Sequence, residues 1–102
     1  MYRIVETQSA AQELEDIIEY IAKTLANPTA AADLVGSIDQ CYREMEQMPK
    51  IYEECRDARL KALGYRKAAI KNYILIYRID EATETVYILH CLYGRRNYEK
   101  LI

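Results

Sequence analysis

The sequence predicts an α+β fold in which an N-terminal strand is followed by two helices and then by three strands. Three features indicate this order: the first half has the spacing of amphipathic helices, an Asn-Pro pair interrupts that spacing, and the second half contains three strand-like apolar runs. We expect an antiparallel helix hairpin packed on one face of a mainly antiparallel four-stranded sheet, in the order β-α-α-β-β-β. The length of 102 residues fits a single domain over residues 1–102.

The first strand is predicted at residues 2–5, and the first helix follows closely. Thr7 or Ser9 can cap this helix, because a side-chain oxygen at the cap accepts a hydrogen bond from a free N–H of the first turn. Apolar residues then recur at the helical period, at Leu14, Ile17, Ile18, Ile21 and Leu25. The opposite face is acidic, so one side of this helix is expected to be buried and the other solvated.

Asn27 and Pro28 end the first helix and begin the second. The residue before a proline disfavours helical geometry, asparagine is a good N-cap, and proline is tolerated at the first helical position. The second helix ends at Pro49 and has an apolar face made of Ala31, Leu34, Val35, Ile38, Cys41, Tyr42, Met45 and Met48. So short a link between two helices predicts an antiparallel hairpin.

The second half of the chain opens with an ambiguous polar stretch, residues 51–64, for which we expect a loop with one helical turn. Three strands are predicted after it, at residues 65–69, 73–79 and 85–93. The nearly continuous apolar run of the second of these strands predicts a central position in the sheet. Residues 80–84 have the composition of a turn.

A helix hairpin covers only one face of a sheet, yet the predicted strands carry large side chains on both faces. Two sets alternate along residues 73–79: Tyr73, Leu75, Tyr77 and Ile79 with Ile74, Ile76 and Arg78. We therefore expect an uncovered face that is apolar and aromatic with basic residues at its edge, a surface suited to a partner. The alternative is that residues 51–64 and the C-terminal tail cover this face.

Charge and cysteine content limit the classes of function. The net charge is −2, but residues 1–60 hold six Lys/Arg against twelve Asp/Glu, whereas residues 61–102 hold eight against four. The basic second half suits an anionic partner, although the same charge could serve solubility alone. Three scattered cysteines and one histidine argue against a disulfide framework and a metal site, and they favour a cytoplasmic location. No membrane span, signal peptide or cofactor is expected.

The C-terminal half contains a set of short motifs in a definite order. They are a Gly-Tyr-Arg strand start, a Tyr-x-x-x-Tyr-Arg-x-Asp strand, and a closing strand followed by Gly-Arg-Arg-x-Tyr-Glu. Together with the helix hairpin broken by Asn-Pro, they resemble the RelE/ParE superfamily of toxins, often described as plasmid-stabilisation proteins, over nearly the whole chain. The resemblance implies the toxin of a type II toxin–antitoxin (addiction) module that inhibits growth. It also implies a cognate antitoxin as partner, with a toxin–antitoxin heterotetramer as one form of the complex.

The RelE branch of this superfamily cleaves messenger RNA in the ribosome without a metal ion. It uses basic residues on two sheet strands and a tyrosine near the end of the chain, which supply charge stabilisation and proton transfer. The resemblance then implies four catalytic candidates in this sequence: Arg66 or Lys67 as the first of the basic groups, Arg96 as the closing cation, and Tyr98 in the closing segment. Two positions depart from the pattern, because Ile74 stands where this branch carries an arginine and Tyr93 stands where histidine is common.

The ParE branch inhibits DNA gyrase and has no established catalytic centre of its own. The two departures, the acidic overall charge and the short C-terminal ending favour this branch, with ribosome-dependent messenger RNA cleavage as the alternative. A degenerate toxin that only binds its antitoxin is a third possibility. The residues expected to contact the target or the antitoxin are Arg78, Tyr93, Arg95, Arg96, Tyr73 and Tyr77.

Overall fold

A computed structural model describes residues 1–94 and 97–102 of the chain. The strands are β1 (Arg3–Glu6), β2 (Arg66–Ile70), β3 (Tyr73–Asp80) and β4 (Thr85–Tyr93). The helices are α1 (Gln8–Glu19), α2 (Pro28–Gln47) and α3 (Ala58–Ala62), with a π-helical turn at Tyr20–Thr24 and a short 3-10 helix at Tyr98–Lys100. Each predicted strand is present, with ends that differ from the prediction by at most one residue. The loop with one helical turn is also confirmed, since α3 is that turn.

The four strands form one sheet in the order β1-β4-β3-β2. Strands β2, β3 and β4 are antiparallel neighbours, whereas β1 pairs with β4 in parallel. The sheet is therefore mainly antiparallel, and β3 has the interior position that its apolar run predicts. These observations confirm the α+β fold class.

The helix hairpin begins and turns at the residues that the sequence indicates. Of the two candidate caps, Thr7 caps α1, and its hydroxyl oxygen accepts a first-turn N–H at 3.2 Å. Asn27 caps α2 in the same way at 3.1 Å, with Pro28 in the first turn. The α1 geometry does not continue to Leu25, because the last turn is π-helical and Ala26 then reverses the chain with a φ of 49°. As a result Leu25 lies outside the core and is 55% exposed.

The hairpin packs on one face of the sheet and forms the larger of two cores. Strand residues that face the helices alternate along β3 and β4, as the two-residue period of a strand requires. Leu34 of α2 and Leu75, Tyr77 and Ile88 of the sheet are at most 1% exposed. We call this cluster the helix-side core; its buried members are Ala10, Leu14, Ile21, Ala31, Leu34, Ile38, Cys41, Met45, Ala68, Ile70, Leu75, Tyr77, Val86, Ile88 and Cys91.

Strand β4 contains a bulge that attaches it to α1. The pairing of β3 with β4 shifts between Ile76 and Tyr77, which leaves one extra residue in β4. The Glu13 carboxylate on α1 accepts the N–H of Cys91 at 3.2 Å and lies 3.1 Å from Nδ1 of His90. The carboxylate thus satisfies a backbone N–H of the irregular segment, and the one histidine is part of this attachment.

None of the helices in the described part of the chain combines the length and the apolar character needed to cross a bilayer.

Candidate functional site

The second face of the sheet is partly covered. Residues 51–64 and the tail, residues 97–102, fold over it and enclose a small cluster that we call the tail-side core, whose buried members are Cys55, Leu60, Ile76 and Tyr98. Nη2 of Arg59 donates to the carbonyl oxygens of Glu99 and Ile102, both at 2.8 Å, and so fastens the tail. The expectation of a fully open aromatic face is therefore wrong for this part of the sheet. The alternative, coverage by the loop and the tail, is correct here.

Lys67 and Tyr98, two of the four residues expected to cleave RNA, meet beneath this cover. The Lys67 ammonium nitrogen lies 5.9 Å from the centroid of the Tyr98 ring and 3.9 Å from the Glu53 carboxylate. Tyr98 is only 7% exposed, and burial raises the pKa of its hydroxyl above the usual value. The lysine charge is thus offset by an aromatic face and a carboxylate, and the tyrosine stays protonated near neutral pH.

Arg66 does not join these two residues. Adjacent residues of a strand point to opposite faces, and Arg66 lies on the helix side of β2. Its Nη1 donates to the backbone carbonyl of Tyr52 at 2.8 Å, which anchors the loop before α3. The structure therefore separates Arg66 from Lys67. Arg96, the fourth catalytic candidate, and Arg95 lie outside the described residues.

The three tyrosines expected to contact a partner differ in accessibility. Tyr77 is completely buried in the helix-side core, where its hydroxyl donates to the Pro49 carbonyl at 2.8 Å and burial raises its pKa to about 12. The structure corrects that prediction, because Tyr77 supports the fold and offers no surface. Tyr73 and Tyr93 pair across β3 and β4 and pack edge to face, with ring centroids 5.8 Å apart. Tyr93, at 38% exposure, can reach a partner.

The remaining part of the second face carries a cation–aromatic pair. The guanidinium carbon of Arg78 lies 4.4 Å from the centroid of the Tyr87 ring. Tyr87 pairs with Arg78 on one side and with Val5 on the other, so the three residues form a row across β3, β4 and β1. In the next row, Nη2 of Arg3 donates to the Thr85 hydroxyl at 3.2 Å. We call Arg3, Val5, Arg78 and Tyr87 the open-face patch.

Sequence reasoning identified Arg78 but missed its partners in this patch. Val5 and Tyr87 belong to neither core and are partly exposed. Alternation along β4 places Tyr87 on one of two faces, but it does not place β1 beside β4. That parallel pairing joins residues about eighty positions apart, as in Arg3 with Thr85 and Val5 with Tyr87, and it carries no local signal.

A groove of about 520 Å³ runs between α1 and α2. Its apolar lining comes from both helices: Ala11, Leu14, Ile18, Ala22, Val35 and Ile38. Its charged residues are four carboxylates and one lysine: Glu6, Glu15, Glu19, Asp39 and Lys23. Tyr42, also in the lining, donates its hydroxyl to Glu6 at 2.7 Å. We call this feature the hairpin groove; it combines an apolar floor with an acidic rim. The apolar period of the helices predicts their buried faces but not the gap between them.

Residues 4–98 match one protein family, described as the ParE toxin of the type II toxin–antitoxin system, parDE. Among curated protein sequences, none matches this chain. The fold is similar to that of the toxin–antitoxin complex RelBE2 from Mycobacterium tuberculosis, with 21% identity, a TM-score of 0.63 and coverage of 90% of this chain and 96% of that chain.

Two further solved structures are similar over comparable lengths. The chromosomal ParDE system from P. aeruginosa is 19% identical, with a TM-score of 0.70 and coverage of 91% of this chain and 96% of that chain. A YoeB/ParE toxin from Agrobacterium tumefaciens is 16% identical, with a TM-score of 0.64 and coverage of 89% and 96%. At these identities the structures establish a shared fold, whereas the family match spans nearly the whole sequence. The chain therefore belongs to the ParE toxin family of type II toxin–antitoxin systems.

Proposed function

We propose that this type II toxin arrests growth by inhibiting DNA gyrase in the cytoplasm, and that a cognate antitoxin holds it silent. The family to which the chain belongs is the ParE branch, which the superfamily resemblance associates with gyrase. The RelBE2 structure, similar in fold, is a toxin–antitoxin complex, which supports an antitoxin as partner here.

The arrangement of the expected cleavage residues favours gyrase over messenger RNA. Cleavage by internal attack of a 2′-oxygen requires a proton acceptor, a proton donor and a cation that converge on one phosphate. Here Arg66 and Lys67 lie on opposite faces of β2, Tyr98 is buried under the tail, and position 74 is an isoleucine. Loss of one well-placed stabilising group typically costs about 10²–10³ in rate. A site in which Arg66 is directed away from Lys67, Tyr98 is buried and position 74 holds no arginine therefore supports little cleavage.

Two assays on the full-length toxin separate the targets. Purified toxin is expected to inhibit the supercoiling of plasmid DNA by gyrase, and premixing with the product of the neighbouring gene should abolish the inhibition. Primer extension on messenger RNA from induced cells should show no new 5′ ends within codons. Normal supercoiling together with discrete new 5′ ends would instead identify a ribosome-dependent nuclease.

The hairpin groove is the surface that suits the antitoxin. An amphipathic segment can lay its apolar face into an apolar groove between helices. The rim has four carboxylates against one lysine, and that lysine, Lys23, lies 3.5 Å from Glu19. We therefore expect basic residues beside the apolar anchors of the antitoxin segment, which should be disordered alone and fold on binding. A toxin–antitoxin heterotetramer is the proposed form of the complex.

A charge placed in this groove tests the antitoxin site. Val35 lines the groove and is 38% exposed, so Val35→Glu should leave the fold intact while it adds a carboxylate to the apolar floor. We expect binding of the neighbouring gene product, measured by calorimetry, to weaken at least about tenfold. Leu63→Glu is the matched control, because Leu63 is exposed and lies outside the groove. If the neighbouring gene product binds both variants with equal affinity, the groove is not part of the antitoxin interface.

Arg95 and Arg96 keep their predicted role as target contacts. Their planar guanidinium groups suit carboxylate or phosphate oxygens. Joint replacement by alanine should reduce growth arrest with an unchanged circular dichroism spectrum. Undiminished arrest in a folded double variant would exclude both residues.

A further inference from the structure

Each arginine side chain of the open-face patch has one contact within the sheet. The Arg78 guanidinium lies over the Tyr87 ring, and Arg3 donates a hydrogen bond to the hydroxyl of Thr85, which is completely buried. Stacking on an aromatic ring orients the guanidinium plane and leaves its N–H donors at the edge free for oxygen acceptors. The patch therefore has the geometry of a preformed anion-binding surface.

Neither of these arginines has an acidic partner in the described part of the chain. No carboxylate oxygen lies within 4.0 Å of either guanidinium there, although the sequence has 16 acidic residues against 14 basic ones. Oδ1 of Asp80, two residues after Arg78, accepts two backbone N–H groups of the following turn, at 3.1 and 3.4 Å. Both positive charges thus remain available to a partner.

We propose that the open-face patch binds an acidic segment of the toxin's protein target, with carboxylates placed on Arg3 and Arg78 and an apolar side chain on Val5. This inference rests on the proposed function, in which the target is a protein. It adds the surface and the chemical class of the segment that this surface receives.

A nucleic acid fits the patch less well than an acidic peptide does. Proteins that bind single-stranded nucleic acid stack bases on open aromatic faces along a basic groove. The patch has one aromatic ring, Tyr87, and the Arg78 guanidinium already occupies a face of that ring. The chain also carries a net charge of −2, which opposes a long polyanion but not a short segment that pairs with two arginines.

The patch and the hairpin groove lie on opposite faces of the sheet. Tyr87 points away from the helices, because its neighbours Val86 and Ile88 belong to the helix-side core. The groove, by contrast, is lined by both helices of the hairpin. Substitutions in the patch are therefore expected to leave binding of the antitoxin segment in the groove unchanged, which separates the patch from a general loss of folding.

The test compares two double variants of the full-length toxin with equal loss of charge. Arg3→Ala with Arg78→Ala removes the patch arginines, and Arg43→Ala with Arg56→Ala removes two exposed arginines elsewhere. The probe is a fluorescein-labelled peptide of alternating glutamate and glycine, followed by fluorescence anisotropy. We expect the patch variant to bind the peptide at least about tenfold more weakly than wild type, and the control to bind like wild type. An unlabelled oligothymidine should not compete.

Several results would overturn the proposal. They are no binding of the peptide to wild type, equal binding to both double variants, and displacement of the peptide by the oligonucleotide. A supercoiling assay adds a second criterion: if wild type inhibits gyrase and the patch variant inhibits it equally, the patch is not the target contact. If wild type does not inhibit gyrase, the proposed function fails. The peptide measurement still shows whether the open-face patch binds an acidic segment.

Discussion

The two faces of the sheet are covered in very different ways. On the helix side, α1 and α2 pack on the strands, and fifteen of the described residues form one buried cluster. On the other side, a loop and a six-residue tail enclose four buried residues and leave the open-face patch beside them. The same strands thus carry a large core on one face and a small, locally fastened core on the other.

The two faces of the sheet therefore contribute differently to the stability of the fold. The helix side holds most of the buried apolar residues of the described chain, and burial of apolar surface is the main stabilising contribution to a fold of this size. The tail-side core depends on the end of the chain, and the carbonyl groups there are held by one exposed arginine, Arg59. We therefore expect the tail to open without unfolding of the hairpin, because segments with few buried contacts open locally.

The largest effect is expected from a truncation in the helix-side core. Leu34 is 1% exposed in the middle of α2, so Leu34→Ala leaves a cavity that the rigid hairpin cannot fill. The free energy of unfolding should fall by about 2–5 kcal/mol, measured by urea denaturation. A loss well below that range would show that the helix side does not dominate stability.

A smaller effect is expected from the corresponding truncation on the other face. Tyr98→Ala removes the ring that covers Ile76 and Lys67, but water and neighbouring side chains can replace part of its contact. We expect a loss of about 1–3 kcal/mol in unfolding free energy and faster digestion of the tail by carboxypeptidase. A loss of unfolding free energy larger than that of Leu34→Ala would show that the tail-side core contributes more to stability than the helix-side core.

The attachment of the tail can be weakened without removal of any core side chain. Arg59→Ala deletes both hydrogen bonds to the tail carbonyls, while Arg59 itself is exposed. Global stability should fall by only about 1 kcal/mol, since each net hydrogen bond contributes little. Hydrogen exchange of the tail amides should nevertheless accelerate, with Arg56→Ala as the unaffected control. Unchanged exchange would mean that Arg59 does not hold the tail.

The smallest effect is expected from Tyr98→Phe. This change keeps the ring over Ile76 and removes only the hydroxyl, which a nuclease would use for proton transfer. If the toxin does not cleave RNA, growth arrest after induction should equal that of wild type at matched expression. Loss of arrest in a stably folded Tyr98→Phe variant would support the nuclease alternative.

The sequence was sufficient to predict the elements and the packing of the hairpin on one face of the sheet, but not the order of the strands. Asn27 and Pro28 specify a cap and a helix start through their own backbone and side-chain preferences, and the bounds predicted for β4 match those observed. The pairing of β1 with β4, the bulge beside Ile76 and the tail cover depend on contacts between residues distant in the chain. Such contacts leave no periodic signal.

The placement of some site residues likewise follows from local sequence, whereas that of others depends on contacts between distant parts of the chain. Strand alternation alone implies that Arg66 and Lys67 point to opposite faces, so their separation could have been predicted. The burial of Tyr77 could not, because β3 has large side chains on both faces and alternation does not tell which face meets the helices. The position of Tyr87 beneath Arg78 likewise required the register of β3 against β4.

The three cysteines provide the most direct test of the difference between the faces. Cys41 and Cys91 are buried in the helix-side core, Cys55 is buried in the tail-side core, and burial raises the pKa of each thiol, that of Cys91 to about 12. Each thiol therefore reacts slowly until its surroundings open. The measurement is alkylation of the native toxin at mildly alkaline pH, quantified for each cysteine by mass spectrometry over a range of low urea concentrations.

We expect Cys55 to be alkylated first, at a rate nearly independent of urea, because it is exposed by local opening of the tail. Cys41 and Cys91 should react together, more slowly, at rates that rise with urea as global unfolding does. Arg59→Ala should accelerate only Cys55. Equal rates for all three thiols, or alkylation of Cys91 before Cys55, would contradict the account of one face that holds the fold and another that opens on its own.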